Sequence, residues 1–248
     1  MFLLSVRVLI AVFCIIGLTC TVDAATEKQN IYIVAEDLPP FSTGHRVEGA
    51  YARDQNLVRQ IFKEIGFNTK IAFLPWKRAL REIKEGRAAG ILSCSQTQER
   101  AKYMYFRTPT SHFTNGFFYL ADRNLPHPQT LEDVNTYDVA SIEGHANLAQ
   151  LRNAGLEPLT ANDTKSALLM LEAGRFDYLY LNREITMAYL QKNGLAERIL
   201  FSPVSSEDVF FCFNKKYPQI EQIMDSFEKK LHELRANGTL RTLQAKYK

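Results

Sequence analysis

Cysteine is scarce in this chain. Four occur in 248 residues, and two of these, Cys14 and Cys20, fall in the N-terminal apolar segment. The remaining pair, Cys94 and Cys212, is too few for a disulfide scaffold. A chain of this length buries a core without staples. The two thiols either bridge or stay buried and free, and neither has a catalytic base beside it in sequence. The five histidines, at 45, 112, 127, 145 and 232, show no metal-ligand spacing. No metal and no cofactor is therefore expected. Charge of one sign is not gathered anywhere: the net charge is +3 and the basic residues are scattered. That pattern gives no support to nucleic-acid binding, while remaining compatible with anionic ligands. Long apolar runs are absent beyond the N-terminus. The run there, Val8 to Leu18 after Arg7, is too short for a comfortable membrane span. Val22-Asp23-Ala24 fits the small-x-small pattern before a cleavage point, so residues 1–24 read as a cleavable leader of an exported chain.

The most informative stretch is Ser93-Cys94-Ser95-Gln96-Thr97-Gln98-Glu99-Arg100. It follows a short apolar run, Ala88 to Leu92, that reads as a buried strand. Two hydroxyls, a helix start and an arginine then fall within one short segment. Exposed backbone N–H groups at a helix N-terminus, followed by a guanidinium fork, are suited to holding a carboxylate. Arginine fits because its planar donors match two carboxylate oxygens together.

One unit occurs twice. Residues 79–88 and 167–176 are both amphipathic helices that stop at a Gly-Arg pair and run into a short apolar strand. Around them, strands are expected at 31–36, 70–74, 90–93, 117–120, 137–142, 176–181 and 208–213. Helices are expected at 54–65, from Trp76, and at 145–154, 163–173, 183–193 and 217–236. Strands alternating with helices at this spacing imply parallel β-α-β units. Two α/β lobes joined by extended strands leave a cleft, and open α/β sheets bind ligands at the carboxyl ends of their strands.

These features resemble the bacterial family 3 extracytoplasmic solute-binding proteins over essentially the whole chain past the leader. The resemblance rests on Pro39-Pro40-Phe41 after the first strand, the Gly49 segment, Ser93–Arg100, Gly-Arg-Phe-Asp at 174–177, and the closing run 234–240. The family pattern Ser-x-Ser-x-Thr-x-x-Arg is kept as Ser93, Ser95, Thr97 and Arg100. The resemblance implies a two-lobed type II periplasmic-binding-protein fold, with two α/β sandwich lobes joined by two hinge strands. Lobe I would hold residues 25–112 and 207–248, and lobe II residues 113–206. It also implies a periplasmic monomer, a small carboxylate or amino-acid ligand, and a membrane permease or receptor as partner. The alternatives are a cyclohexadienyl-dehydratase-like enzyme on the same fold and a ligand-presenting sensory protein.

By position, Arg100 and Ser95 take the family's carboxylate-binding roles, with Thr97 as a helix cap. Trp76, at a helix start, and Phe41 are candidates to enclose the apolar part of the ligand. Arg78 is a second candidate anion contact, Tyr51 a further aromatic clamp, and Glu36 an acid at a strand end. On the second lobe, His145 opens a helix whose N–H groups are candidate ligand contacts, and Asn182 lies at a strand end. The family usually offers an aspartate where this chain has Asn182, and a threonine where it has Ala146. Asp37, Glu36, Glu143 and Glu184 are then the candidates to receive an ammonium.

Overall fold

The structure, a computed structural model, describes residues 28–44 and 52–245; the expected leader and Tyr51 lie outside the described residues. A first β-α-β-α-β unit consists of β1 (Gln29–Ala35), α1 (Arg53–Glu64), β2 (Phe67–Phe73), α2 (Trp76–Lys84) and β3 (Gly90–Ser95). One helical turn, α3 (Gln98–Ala101), and a short strand, β4 (Met104–Tyr105), follow it. The long β5 (Ser111–Leu120) leads to a second unit: β6 (Val139–Ile142), α4 (Ala146–Asn153), β7 (Leu159–Ala161), α5 (Thr164–Glu172) and β8 (Tyr178–Asn182). Then come α6 (Arg183–Lys192), the returning strand β9 (Ile199–Asn214), α7 (Ile220–Ala236) and α8 (Thr239–Ala245).

Both units are parallel and wound in the same order, β2-β1-β3 and β7-β6-β8. The repeat seen in sequence is the second crossover of each unit. α2 and α5 stop at Gly86 (φ +79°) and Gly174 (φ +66°), a backbone region that glycine enters without steric cost.

The period-2 pattern of each strand decides what packs on which face. In β1, Ile31, Ile33 and Ala35 turn toward Leu57, Val58, Ile61 and Phe62 of α1 and Phe227 and Leu231 of α7. Val34 turns the other way, toward Trp76, Ala79 and Ile83 of α2. β5 repeats the arrangement in the second half. Phe118 and Leu120 meet the layer holding Leu168, Leu171 and Leu190, while Phe117 and Tyr119 meet Tyr178, Tyr180 and Leu151.

One sheet runs through the molecule in the order β2-β1-β3-β9-β5-β8-β6-β7, with β4 on β9. β5 and β9 are shared by the halves. They pair antiparallel from Ser111↔Val209 to Leu120↔Ile199, while the far end of β9 pairs with β3 and the far end of β5 with β8. Their register shifts between Asn115 and Gly116, opposite Pro203 and Ser205. A bulge is where a strand tolerates a proline that lacks a donor. At the same point a Cβ on Gly116 would lie 2.2 Å from the Ser202 carbonyl oxygen and 2.7 Å from the Phe201 ring. The two strands cross only because that residue has no side chain.

The elements follow the sequence pattern closely in the helices and less well in these connecting strands. β5 begins six residues before the expected 117, and β9 nine before the expected 208. The run Ser202–Asp208 is polar and contains a proline, so it carries no strand signal; its order comes from pairing with β5. β4 and β7 are too short to show periodicity. α7 starts at Ile220 rather than 217, because the chain first turns through Tyr217 N–H to Asn214 O and Gln219 at φ +56°.

Candidate functional site

The site begins with a distortion. Between Ile91 and Cys94 the β3–β9 register shifts, and Ser93 sits at φ +51°, a region costing a non-glycine residue about 1 kcal/mol. The strain is held by a buried carboxylate. Asp54, at the start of α1, accepts hydrogen bonds from Ser93 Oγ (3.0 Å) and Ser111 Oγ (2.8 Å). Burial pushes its carboxyl pKa upward, against the lowering influence of Arg53 and the two hydroxyls. Asp54 thereby fastens the end of β3 to the start of β5.

Past the kink, Thr97 caps α3 by accepting from the Arg100 backbone N–H at 3.2 Å. That one turn folds Arg100 back over the end of its own strand. Its guanidinium donates through Nη1 to Ser95 O at 2.7 Å and reaches Cys94 Sγ at 3.8 Å. Through Nη2 it crosses to the second half, donating to Gly144 O at 3.0 Å. It also lies 4.9 Å over the Trp76 ring. Arg100 is only 4% exposed. Among the described residues, no carboxylate lies in ion-pair range of it.

Around this cation the two halves meet through polar contacts. His145, which precedes α4, lies 3.3 Å from Glu36 Oε2 at the end of β1, with its ring 6.1 Å from Trp76. Ser95 Oγ donates to Glu207 Oε1 at 2.9 Å, and Gln150 Nε2 to the other oxygen at 3.1 Å. Asn115 Oδ1 accepts from Asn147 (3.1 Å) and Asn182 (2.6 Å). Glu36, Ser95, His145, Asn147 and Asn182 from these contacts, with Arg100, Trp76 and the apolar Phe113 and Ile185, border a small cavity of about 20 Å³. The Trp76 indole N–H is buried there without a partner among the described residues.

Of the residues singled out from sequence, Arg100, Ser95, Ser93, Trp76, Glu36, His145 and Asn182 border this one cavity. Phe41 does not. Its carbonyl accepts from the Asp54 and Gln55 N–H groups at the start of α1, and its ring is fully buried edge-on to Phe113. Phe113 holds the cavity wall in its place. Arg78 points to solvent: it lies about 200° around the helix from Trp76, away from the buried face of Trp76, Ala79 and Ile83. Among the acids considered for an ammonium, Glu36 alone borders the small cavity. Glu184 accepts from Thr114 N–H and Oγ1, and Glu143 faces Lys77 at 3.6 Å.

Sequence reasoning missed Glu207 and Asn115. Both lie on the connecting strands, which the sequence reading assigns to the hinge and not to the site; a lone acid facing a Ser-rich segment across a sheet leaves no signal along the chain. Cys94 and Cys212 are free and buried, with Cys212 Sγ 3.5 Å from Cys94 O. Burial acts on both thiols to disfavour the thiolate. For Cys212 it dominates and raises the pKa, whereas at Cys94 the Cys212 hydrogen bond and the Arg100 charge prevail and lower it.

Two α/β halves sharing two long strands, with a buried cation at the carboxyl ends of their parallel strands, define the type II periplasmic-binding-protein fold. The model of the bacterial extracellular solute-binding proteins, family 3, matches residues 31–248, and the chain belongs to that family. A probable amino-acid-binding protein, YxeM of Bacillus subtilis (strain 168), is 22% identical over 231 residues, covering 91% of this chain and 86% of that protein. Among solved structures, a histidine kinase sensor domain with similarity to periplasmic binding proteins superposes with TM-score 0.78 at 20% identity, covering 89% of this chain and 96% of that one. A mutant of ArgBP from T. maritima superposes with TM-score 0.75 at 21% identity, covering 88% and 94%.

Proposed function

We propose that this chain captures a small carboxylate-bearing ligand, an amino acid or a close relative, between its two halves in the periplasm and delivers it to a membrane transporter. The observation that carries the reading is Arg100. A buried cation costs several kcal/mol of lost hydration, and two backbone carbonyls meet it here where a carboxylate would be its natural partner. The fork that reaches Ser95 O and Gly144 O has the geometry to take two carboxylate oxygens.

In this reading Ser95 and the α3 N–H groups assist Arg100, and Trp76 with Phe113 covers the apolar part. Glu36 takes the ammonium, because Asn182 carries no charge. Residues 25–112 with 207–248 form one lobe and 113–206 the other. Closure bends β5 and β9, and His145 and Gly144 engage only when the lobes meet. The protein binds and releases its ligand without turnover. The same closed form would suit presentation to a receptor; the similarity to a kinase sensor domain is one of fold.

A thermal-shift screen of the chain without its leader tests this. L-amino acids and matched carboxylates lacking the amine are compared, since a ligand bound to the native state raises Tm by mass action. Stabilisation by amino acids that is lost on Arg100→Met supports the reading. No stabilisation by either set overturns it, and stabilisation by the amine-free set alone removes the role given to Glu36.

A further inference from the structure

The small cavity is not the whole space between the halves. On the other side of Arg100 a groove of about 500 Å³ opens between α2 and α4, sharing Arg100 and His145 with the cavity. Its walls are strongly one-sided in charge. α2 turns Lys77, Arg81 and Lys84 into it at helical spacing, and α4 faces them with Arg152. Two carboxylates answer: Glu99 holds Lys84 at 2.8 Å, and Glu143 lies 3.6 Å from Lys77. Among the described residues, Arg81 and Arg152 have no carboxylate in ion-pair range.

A second feature of the same groove concerns Tyr103. Its ring forms part of the wall, but its hydroxyl is buried without a partner among the described residues. Burial and the nearby Glu99 push its pKa up to about 12, so it stays a neutral donor. A buried hydroxyl donor left unsatisfied is unfavourable. Closing the halves also brings the cations of α2 and α4 toward one another. A negative group between them relieves that repulsion, and a hydroxyl donor beside Arg100 suits an anionic oxygen.

We propose that the ligand carries a second acidic group, carboxylate or phosphate, and that this group sits in the α2–α4 groove on Arg81 and Arg152, with Tyr103 as a neutral donor. The inference rests on the reading of Arg100 as the anchor of the first carboxylate. It narrows the ligand class to small molecules with two or more negative groups, and it gives the groove a part in closure, because its walls come from different halves.

Calorimetry on the chain without its leader tests this with L-alanine and L-glutamine as one-acid probes, L-glutamate and L-2-aminoadipate as two-carboxylate probes, and O-phospho-L-serine as the phosphate probe. A second charge-assisted contact should make at least one two-acid probe bind about tenfold or more tighter than the one-acid probes. Which of the carboxylate and phosphate arms gains more identifies the second group. The exposed double variant Arg81→Gln/Arg152→Gln should erase that advantage and its salt dependence, leaving one-acid binding unchanged; Tyr103→Phe should reduce it in part. Equal affinity for both classes, or an advantage that survives the double variant, overturns the proposal. One-acid binding that depends on Arg100 but shows no two-acid preference overturns this inference and leaves the anchor intact. Binding of neither class overturns both.

Discussion

Replacing Arg100 by methionine separates binding from folding. Methionine keeps an unbranched stem against Trp76 while removing the charge and both donors. For the ligand, the loss is a fork of charge-assisted hydrogen bonds, roughly 1.5–3 kcal/mol each. Even the lower value for two bonds, about 3 kcal/mol, is a weakening of roughly 150-fold in Kd. For the fold, two opposed effects follow. Ser95 O and Gly144 O lose donors that now reach them at 2.7 and 3.0 Å, at about 1–3 kcal/mol each where water does not replace them. Against this, the hydration cost of a cation 4% exposed disappears, which is itself several kcal/mol. The sum is small, so Tm should stay within about 5 °C of the parent. Calorimetric titration and thermal denaturation of the same preparation read the two quantities. A Kd change below about tenfold at unchanged Tm would show that Arg100 is not the anchor. A Tm loss beyond about 10 °C would show instead that Arg100 is a structural lock between the halves.

Three further outcomes are expected. Gly116→Ala places a Cβ 2.2 Å from the Ser202 carbonyl and should cost about 2 kcal/mol or more, read by urea denaturation, because backbone rather than a flexible side chain must move; a neutral change would mean that β5 and β9 do not approach so closely in solution. Phe227, fully buried and stacked 5.4 Å from Phe211, should lose about 3–5 kcal/mol on Phe227→Ala, with a loss below 1 kcal/mol contradicting the packing described. Asp54→Asn addresses pH. Burial raises the folded-state pKa of Asp54, so the folded chain holds that proton more tightly than the unfolded chain does. The resulting stability is present below the unfolded pKa of about 3.9 and is lost as pH rises through the folded value. The stability of the parent relative to Asp54→Asn should therefore fall as pH increases from about 4, and a difference that grows with pH refutes the assignment.

How far the sequence reached depended on how local each signal is. α1 and α7 were legible because their apolar residues recur at helical spacing, and the same residues form the buried faces: Leu57, Val58, Ile61 and Phe62 in one, Ile223, Phe227, Leu231 and Leu234 in the other. The Ser93–Arg100 segment was legible because strand end, cap and arginine are consecutive. The connecting strands were legible as hinges but not in their full extent, because Ser202–Asp208 is ordered by a partner some ninety residues away rather than by its own pattern. Arg78 and Phe41 show the complementary limit. Position along a chain says that a residue is near a strand end or a helix start, whereas the helical angle from Trp76 and the hydrogen bonds of the Phe41 carbonyl decide which way each faces.

The polar groups around Arg100 also form a consistent electrostatic layout. In the family pattern that this chain resembles, a carboxylate at the end of the strand after Gly-Arg-Phe-Asp balances the ligand's ammonium. Here that place is Asn182, which is spent on Asn115 at 2.6 Å and brings no charge. The negative groups stand elsewhere, with Glu36 at the end of β1 and Glu207 on β9. Both reach across to the second half, one to His145 and the other to Gln150. Moving the negative pole from β8 to these strands changes what closure does. A carboxylate on β8 would meet the ligand as a fixed wall of one half. Glu36 and Glu207 instead form contacts between the halves, so they hold the halves together through protein groups, and in the proposed reading Glu36 does so through a bound ammonium as well. Such a site responds to the balance between its own interlobe hydrogen bonds and those a ligand offers. Its affinity is set by the difference between the two sets, and a ligand that only replaces the Glu36–His145 contact gains little. One that also engages Arg100 gains the contacts that two backbone carbonyls now make in place of a carboxylate.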